Sequence, residues 1–345
     1  MVLTGRYVSQ PGLDRGFVQY GFKRRQVLQM PRFLSILANP TSAKAMKHAD
    51  SLEMALESQG WTVNRTGRSP GESVEAVAER VEGSEVLILA GGDGTVRYLS
   101  DIAIATDIPI WQHAAGNENL FARSFGMKPS CGSLLDAIEQ RRIQFIDRFQ
   151  AGSESGLLIV SSGLDAEIVA RVSRERTGAV SNLNYILPTI RSLLSWKPAR
   201  YTIEIDGVRQ VDSRTGWVFV ANSPDYGGRF DPVPTAVMDD GVIDTCFVPM
   251  NGALGALDWM VHARLRLTRL RGSLIRSRRF EHYAGSHVRI TSEEAVRWQI
   301  DGDAYQDGAT CHEMEIAIQP GVVPVLMPAS SGRSVRAISQ RADRV

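Results

Sequence analysis

Glu85-Val86-Leu87-Ile88-Leu89-Ala90-Gly91-Gly92-Asp93-Gly94-Thr95 decides how this chain is read. Its first half is a short, bounded apolar run rich in β-formers, the pattern of a strand buried on both faces. The run ends in three glycines around one acid. Glycine carries no Cβ, so the backbone there can turn tightly and come close to a ligand. Val96, Leu99, Ile102 and Ala103 then follow at helical spacing, so the loop leads into a helix N-terminus. Such a terminus offers unpaired N–H groups and partial positive charge to a phosphate. Asp93 is the odd member, because a carboxylate repels phosphate unless Mg2+ or a proton to be removed intervenes. Strand, glycine loop, acid and helix together suggest phosphoryl transfer. On these residues alone a glycine-rich turn with Asp93 as a helix cap is equally open. The loop lacks the Gly-Lys-Ser/Thr ending of a P-loop and does not fit the spacing of a dinucleotide fingerprint.

The 345 residues can hold two domains of ordinary size. Hydrophobic content of 43% and charged content of 22% are those of a globular protein. A formal net charge of +1 argues against a dedicated nucleic-acid binder. The three cysteines, Cys131, Cys246 and Cys311, are far apart, and no Cys-x-x-Cys or His-x-x-x-His spacing occurs. Neither a disulfide framework nor a structural zinc site is indicated, and a reducing cytosol fits best. Met1 to Met30 has no apolar h-region, and no apolar stretch is long enough to cross a bilayer. Any membrane contact is expected to be peripheral.

Outward from the glycine loop the pattern alternates. Phe33–Ala38 reads as a strand feeding Asn39-Pro40-Thr41-Ser42, and Ala45, Ala49, Leu52 and Leu56 then mark a helix that Gly60 ends. Trp61-Thr62-Val63 is a short strand, and Val74, Val77, Ala78 and Val81 mark a second helix. Ile108–Trp111 is a further strand, followed by a loop at Ala114–Asn119 and a helix through Leu120, Phe121 and Phe125. This alternation predicts a parallel sheet wrapped by helices, with ligands at the carboxyl ends of its strands. From about Phe149 the texture changes to short strands: Leu157–Ser161, Tyr201–Ile205, Arg209–Val211, Trp217–Ala221, Val242–Val248, Val288–Thr291, Val296–Ile300 and Met314–Ile318. Asp206-Gly207 between two of them is a hairpin signal. A mostly antiparallel β domain follows, with helical insertions near 178–196 and 252–272. Residues 1–30 read as an extension and 330–345 as a mobile tail.

Six motifs now stand in order: Asn39-Pro40-Thr41-Ser42-Ala43; Gly91–Thr95; Gly116-Asn117-Glu118-Asn119-Leu120-Phe121-Ala122-Arg123; Ser162-Gly163-Leu164-Asp165-Ala166; Asn222 through Tyr226-Gly227-Gly228, with Pro232 and Pro234, to Asp239-Asp240-Gly241-Val242-Ile243-Asp244; and Asp301-Gly302-Asp303. Across residues 33–328 they resemble the diacylglycerol kinase catalytic-domain family, specifically the bacterial soluble lipid kinases related to sphingosine kinases. The resemblance implies an α/β fold: an N-terminal NAD kinase-like α/β domain with a mostly antiparallel β-sandwich second domain. It places a nucleotide-binding domain at 31–148 and a lipid-acceptor domain at 149–329. It implies a cytoplasmic enzyme at the inner membrane surface. That enzyme uses ATP and Mg2+ to phosphorylate the hydroxyl of a membrane lipid such as diacylglycerol or a sphingoid base, in phospholipid metabolism. No nucleic-acid partner is expected, and a homodimer is left open. NAD kinase shares the Gly-Gly-Asp-Gly core, but the signature from Tyr226 to Asp244 favours the lipid branch. A non-catalytic nucleotide- or lipid-binding relative is the third reading.

The resemblance also distributes roles. Asn39, Thr41 and Ser42, the loop residues Gly91, Gly92, Asp93, Gly94 and Thr95, and Gly116, Asn117 and Asn119 would hold the nucleotide's phosphates, with Asn119 bridging the two loops. Thr66 would lie near the nucleotide. The residues alone allow helix caps at the same places. The general base is implied to be Asp303, whereas the sphingosine-kinase branch gives that task to the acid matching Asp93. We favour Asp303, with Asp93 supporting it through metal and phosphates. Asp240 and the carbonyls of Val237 and Val242 correspond to a family Mg2+ site, and one carboxylate with two carbonyls suits a hard cation. A plain turn at Asp240-Gly241 is the other reading. Asp165 would contact the acceptor head group.

The stretch from Ala253 to Phe280, with Arg264, Arg266, Arg269, Arg271, Arg276, Arg278 and Arg279 among apolar residues, could rest on anionic headgroups. A surface helix with snorkelling arginines reads the same way. Departures from the family pattern are Ala43 for glycine, Arg97 for asparagine, Asn117 for threonine, Leu164 for phenylalanine and Asp303 for glutamate.

Overall fold

The structure, a computed structural model, describes residues 32–175, 196–227, 232–264 and 280–329. The expected extension and tail, the insertion at 178–195, Gly228 and the arginines from Arg266 to Arg279 lie outside the described residues.

Four parallel strands, β1 (Phe33–Ala38), β2 (Thr62–Thr66), β3 (Leu87–Gly91) and β4 (Ile110–Ala114), stand in the order β2-β1-β3-β4. Helices α1 (Ala43–Ser58), α2 (Val74–Val81) and α3 (Asp93–Thr106) connect them. β3 is buried at all five positions, which is why its sequence is continuously apolar rather than alternating. α1 buries Ala45, Ala49, Leu52 and Leu56, the residues whose spacing predicts it, and Ser42 caps it by accepting from the Ala45 N–H. Ser73 does the same for α2 through Ala76. β1 and β3 are neighbours in the sheet although α1, β2 and α2 separate them in the chain. The winding reverses there, so the crevice of the sheet opens at the carboxyl ends of β1 and β3. Helices α4 (Leu120–Phe125) and α5 (Cys131–Gln140) follow β4.

The second half is built from β5 (Ile143–Ala151), β6 (Glu154–Gly156), β7 (Ile159–Ser162), α6 (Leu164–Glu175), β8 (Arg200–Ile205), β9 (Val208–Ala221), β10 (Ile243–Pro249), α7 (Ala253–Arg264), β11 (Glu281–Gly285), β12 (His287–Arg297), β13 (Gln299–Ile300), β14 (Asp303–Ala304) and β15 (Thr310–Leu326). These strands pair antiparallel with one another. Asp206 and Gly207 join β8 to β9 with φ of +49° and +79°, the double left-handed turn that hairpin twist requires.

The two strands expected at Arg209–Val211 and Trp217–Ala221 are one. β9 bends at Ser213 (φ +45°), so its first half pairs with β8 and its second half runs between β7 and β10. The bend brings Gly216 so close to β10 that a Cβ there would lie 2.6 Å from the Phe247 ring and the Val248 carbonyl. A core of Phe149, Tyr201, Val218, Val220, Phe247, Val288, Ile290, Trp298 and Ile316 fills the β half. β15 belongs to both halves. It runs antiparallel to β12 and β5, then lays Val325 beside Ile110 of β4 in parallel, making one 15-stranded sheet.

Candidate active site

The loops after β1, β2, β3 and β4 gather at one edge. α3 starts on Gly92 as its N-cap, with no side-chain cap of its own. With no side chain capping its first N–H groups, the turn has the arrangement that suits an incoming anion. The second loop packs directly on this turn. A Cβ on Gly116 would lie 2.6 Å from the Gly92 Cα, so Gly116 must be glycine for the backbones to touch, and a Cβ on Gly92 would sit tightly at 3.3 Å from the Gly116 Cα.

Asp93 is placed between these loops. Its two oxygens accept from the backbone N–H groups of Leu120 and Phe121, each at 2.9 Å, so it caps α4. Burial pushes its pKa up and the two N–H donors pull it back. Gln112 on β4, fully buried, reinforces the same joint by donating to the Gly91 carbonyl (3.2 Å) and accepting from the Ala122 N–H (2.7 Å). Asn119, at φ +49°, closes its own loop instead of bridging two: its Oδ1 accepts from the Gly116 N–H (2.8 Å) and its Nδ2 donates to the Gly116 carbonyl (2.9 Å). Asn117 stands exposed beside it.

In the first loop Asn39 Oδ1 accepts from both the N–H and the hydroxyl of Thr41, at 3.0 and 2.8 Å, while Ser42 caps α1. Lys44, which the sequence reading passed over, reaches across to the Gly116 carbonyl at 3.4 Å and ties the first loop to the second. Its position in the first turn of α1, beside the phosphate-type loop, was the available signal. The methyl group of Ala43 stands exposed at the start of α1. Thr66 ends β2, and its hydroxyl accepts from Arg80 Nε at 3.0 Å. Arg68 lies 4.5 Å over the Tyr98 ring on α3.

The β half contributes Asp303. Asp301 (φ +52°) and Gly302 (φ +90°) form the tight turn between β13 and β14, and Asp303 follows as the first residue of β14. Its Oδ2 lies 3.0 Å from where a Cβ on Gly94 would be, and 3.8 Å from Arg97 Nη2. Its side chain is 57% exposed, and the carboxylate lies over the start of α3. Asp301, named in the last motif but given no role there, is the structural acid of this turn. It accepts from the N–H groups of Leu157 (2.7 Å), Leu158 (2.9 Å) and Ile159 (2.8 Å). Burial raises its pKa to about 6 against the pull of Arg97 and those three donors.

Asp165 lies deeper. It accepts from Ser161 Oγ, from Trp217 Nε1 at 2.8 Å and from the Tyr226 hydroxyl at 2.8 Å, and burial pushes its pKa up. Around it Trp217 packs on Trp196, Phe219 and Trp259, and Phe219 stacks on Trp259 at 4.9 Å. The expected head-group contact thus sits inside an aromatic cluster with three donors already on it.

The expected metal ligands lie apart from the crevice loops, in the turn before β10. Asp240 Oδ1 accepts from the Val242 N–H at 3.1 Å, and Val237 is half-buried nearby in sequence. Asp147 takes the Gly241 and Gly321 N–H groups, each at 2.7 Å. One carboxylate and two carbonyls suit a hard cation by donor type, but these hydrogen bonds close the turn by themselves. Among the described residues no group of three or more His, Cys, Asp or Glu could hold a metal.

α7 packs Ala256 and Trp259 inward and leaves Leu254 (84%), Leu257 and Val261 exposed at i, i+3 and i+7 on one stripe. No helix of the described residues is long and apolar enough to cross a membrane.

Comparison with known proteins agrees with the two halves. Residues 34–151 match the family model described as diacylglycerol kinase catalytic domain, and residues 158–327 match the one described as YegS C-terminal NAD kinase beta sandwich-like domain. A Mycobacterium tuberculosis protein named diacylglycerol kinase is 24% identical over 86% of this chain and 95% of its own. A crystal structure titled as a diacylglycerol kinase of Bacillus anthracis superposes with a TM-score of 0.62 at 16% identity, covering 88% of this chain and 99% of that one. At that identity the likeness is one of fold.

Proposed function

The chain belongs to the family that joins a diacylglycerol kinase catalytic domain to a YegS-type C-terminal domain, and from that premise we propose that it transfers the γ-phosphate of ATP to the hydroxyl of a membrane lipid. Kinase-family membership carries phosphotransferase chemistry and nucleotide use; we add that the nucleotide is ATP, the acceptor a lipid hydroxyl and the ion Mg2+. One observation carries it. Asp303, from the far end of the chain, is set with its carboxylate over Gly94 at the uncapped start of α3. A phosphate on those N–H groups and a hydroxyl beside Asp303 would stand next to each other.

In this reading the backbone at Gly92–Thr95 and the loop at Gly116 orient the phosphates. Asp93 and Gln112 keep the two loops in register by holding α4, and Lys44 adds positive charge where the first and second loops meet. Asp303 takes the proton from the lipid hydroxyl as that hydroxyl's oxygen attacks the γ-phosphorus in line, and the bond to the β–γ bridging oxygen breaks to release ADP. Mg2+ carried with the nucleotide would neutralise charge on the β- and γ-oxygens. No step is assigned to Asp240, Val237 or Val242. The exposed stripe Leu254, Leu257 and Val261 gives the protein an apolar face on which to meet the bilayer that holds its acceptor.

The test is transfer of label from γ-labelled ATP to a panel of diacylglycerols, sphingoid bases and related lipids presented in vesicles, with NAD as a competing acceptor. Labelled lipid and unlabelled NAD are expected. Labelled NAD alone would replace the proposal by the NAD kinase reading, and nucleotide binding without any labelled product would replace it by a non-catalytic one.

A further inference from the structure

We propose that Arg97 is a positioning residue: it reaches from the glycine-loop helix into the β half and fixes the turn that carries Asp303. The proposal rests on the reading of Asp303 as the base. Arg97 stands on the first turns of α3, with only 18% of its side chain exposed. Its guanidinium is spread over separate points of the other half. Nη1 donates to the Ile300 carbonyl at 2.9 Å. Nη2 donates to Glu154 Oε2 at 3.2 Å and lies 3.8 Å from Asp303 Oδ2. The buried carboxylate of Asp301 also feels its charge.

Glu154 completes the grip. Its other oxygen, Oε1, accepts from the Gln306 N–H at 2.9 Å. The segment from Ile300 to Gln306 is thus held near both ends, by Arg97 directly and by Arg97 through Glu154, with Asp303 between the two anchors. Asp301 anchors the start of the turn on Leu157, Leu158 and Ile159, and β13 pairs with β7. Beyond that turn of two left-handed residues, however, β14, which carries Asp303, pairs with β13 over only two residues. So short a hairpin fixes a carboxylate weakly, and an error of about 1 Å in a reacting group costs about 10²-fold in rate.

The residue type follows from the task. A guanidinium is a planar fork whose donors diverge, so it can serve a carbonyl and a carboxylate together; a lysine ammonium is a single point, and asparagine is too short to cross between the halves. The family's asparagine at this position cannot make these contacts. Arg97, the departure in the signature loop, therefore ties the loop's helix to the acid of the last motif.

The test compares Arg97→Asn, Arg97→Lys, Glu154→Gln and the Arg97→Asn/Glu154→Gln double variant in the full chain. Two readouts are used: amide hydrogen exchange without substrate, and steady-state kinetics with ATP and whichever lipid the unaltered protein phosphorylates. Arg97→Asn is expected to speed exchange across residues 299–306 and to lower kcat by about 10- to 100-fold, with KM for ATP within about twofold. Arg97→Lys should recover part of the loss. Glu154→Gln should act in the same direction but less, and the double variant should fall short of the product of the singles, because the two residues share one grip. Unchanged exchange and unchanged kcat in Arg97→Asn would overturn the proposal, as would a loss seen only in KM. If Arg97→Asn does not fold, Glu154→Gln alone decides, by the same two readouts. If no lipid is phosphorylated by the unaltered protein, the kinase reading fails. Exchange at 299–306 then still decides whether Arg97 fixes this turn.

Discussion

Asp303→Asn is expected to lower kcat by about 10²- to 10⁴-fold, the ordinary cost of losing a general base, while KM for ATP changes by no more than about threefold. The amide has the shape of the carboxylate but cannot take a proton. Because the side chain is more than half exposed and lies outside both cores, the variant should fold and melt like the unaltered protein. That separates a chemical loss from a structural one. Asp303→Glu restores the family's acid and adds a methylene, so it is expected to keep turnover within about tenfold. Steady-state rates against ATP, with the acceptor saturating, read both variants. Near-normal turnover in Asp303→Asn would remove this residue from the chemistry. Asp93 would be a poor substitute, since both of its oxygens are occupied by the first N–H groups of α4.

The second large effect concerns stability rather than rate. His113 on β4 is 5% exposed, its Nδ1 has no hydrogen-bond partner among the described residues, and His48 on α1 lies against it with ring centroids 5.8 Å apart. Burial first, and the neighbouring His48 second, lower its pKa from 6.5 to about 4. Between those values the unfolded chain binds a proton that the native protein refuses, so stability falls as the pH drops through this window. From His113 alone the loss should reach about 2 kcal/mol at pH 5 and approach about 3 kcal/mol near pH 4. Asp301 works the other way. With its pKa raised to about 6, the native state holds a proton that the unfolded state releases near pH 4, so its contribution declines as pH rises through that interval. The two are separated by comparing His113→Gln with the unaltered protein in denaturant titrations at pH 5 and 7.5. The variant should lose about 2 kcal/mol less on acidification. Equal losses in both proteins would show that His113 does not set the acid limit.

Much of the fold could be read from the chain because its signals are local. β3 is apolar at every position, α1 shows its buried face at helical spacing, and Asp206-Gly207 names its own turn. What escaped the reading depends on contacts across the molecule. β5 (Ile143–Ala151) mixes Gln, Asp and Arg among apolar residues, because one side of it packs on the core while Asp147 serves the distant turn at Gly241. α5 opens on Cys131-Gly132-Ser133, a sequence with no early apolar face, and is started by the Ser130 cap. β9 read as two strands because its bend puts polar residues in the middle of a single one.

The candidate site divides the same way. Its loops were legible as motifs at the ends of strands. Which polar atom answers which was not, because that depends on the partner element. Asp93 was read toward metal and phosphate, and the structure sets it on α4. Asn119 was read as a bridge, and it closes its own loop while Lys44 crosses. Asp301 was only the first residue of the last motif, with no role of its own, yet three backbone N–H groups converge on it. No spacing rule could have joined Arg97 to Ile300.

β15 carries one more consequence. Among the described residues the side of β4 away from β3 is partnered only by Val325, near the end of the last described strand, and β5 pairs with β15 along most of its length. During synthesis the parallel half therefore leaves the ribosome with its β4 edge open, and nearly all of the β half must follow before β15 reaches that edge. Uncovered edges invite pairing with other chains, and such distant closure slows folding. The arrangement couples the two halves: the parallel sheet gains its contact with β15 only once nearly the whole described chain has been made.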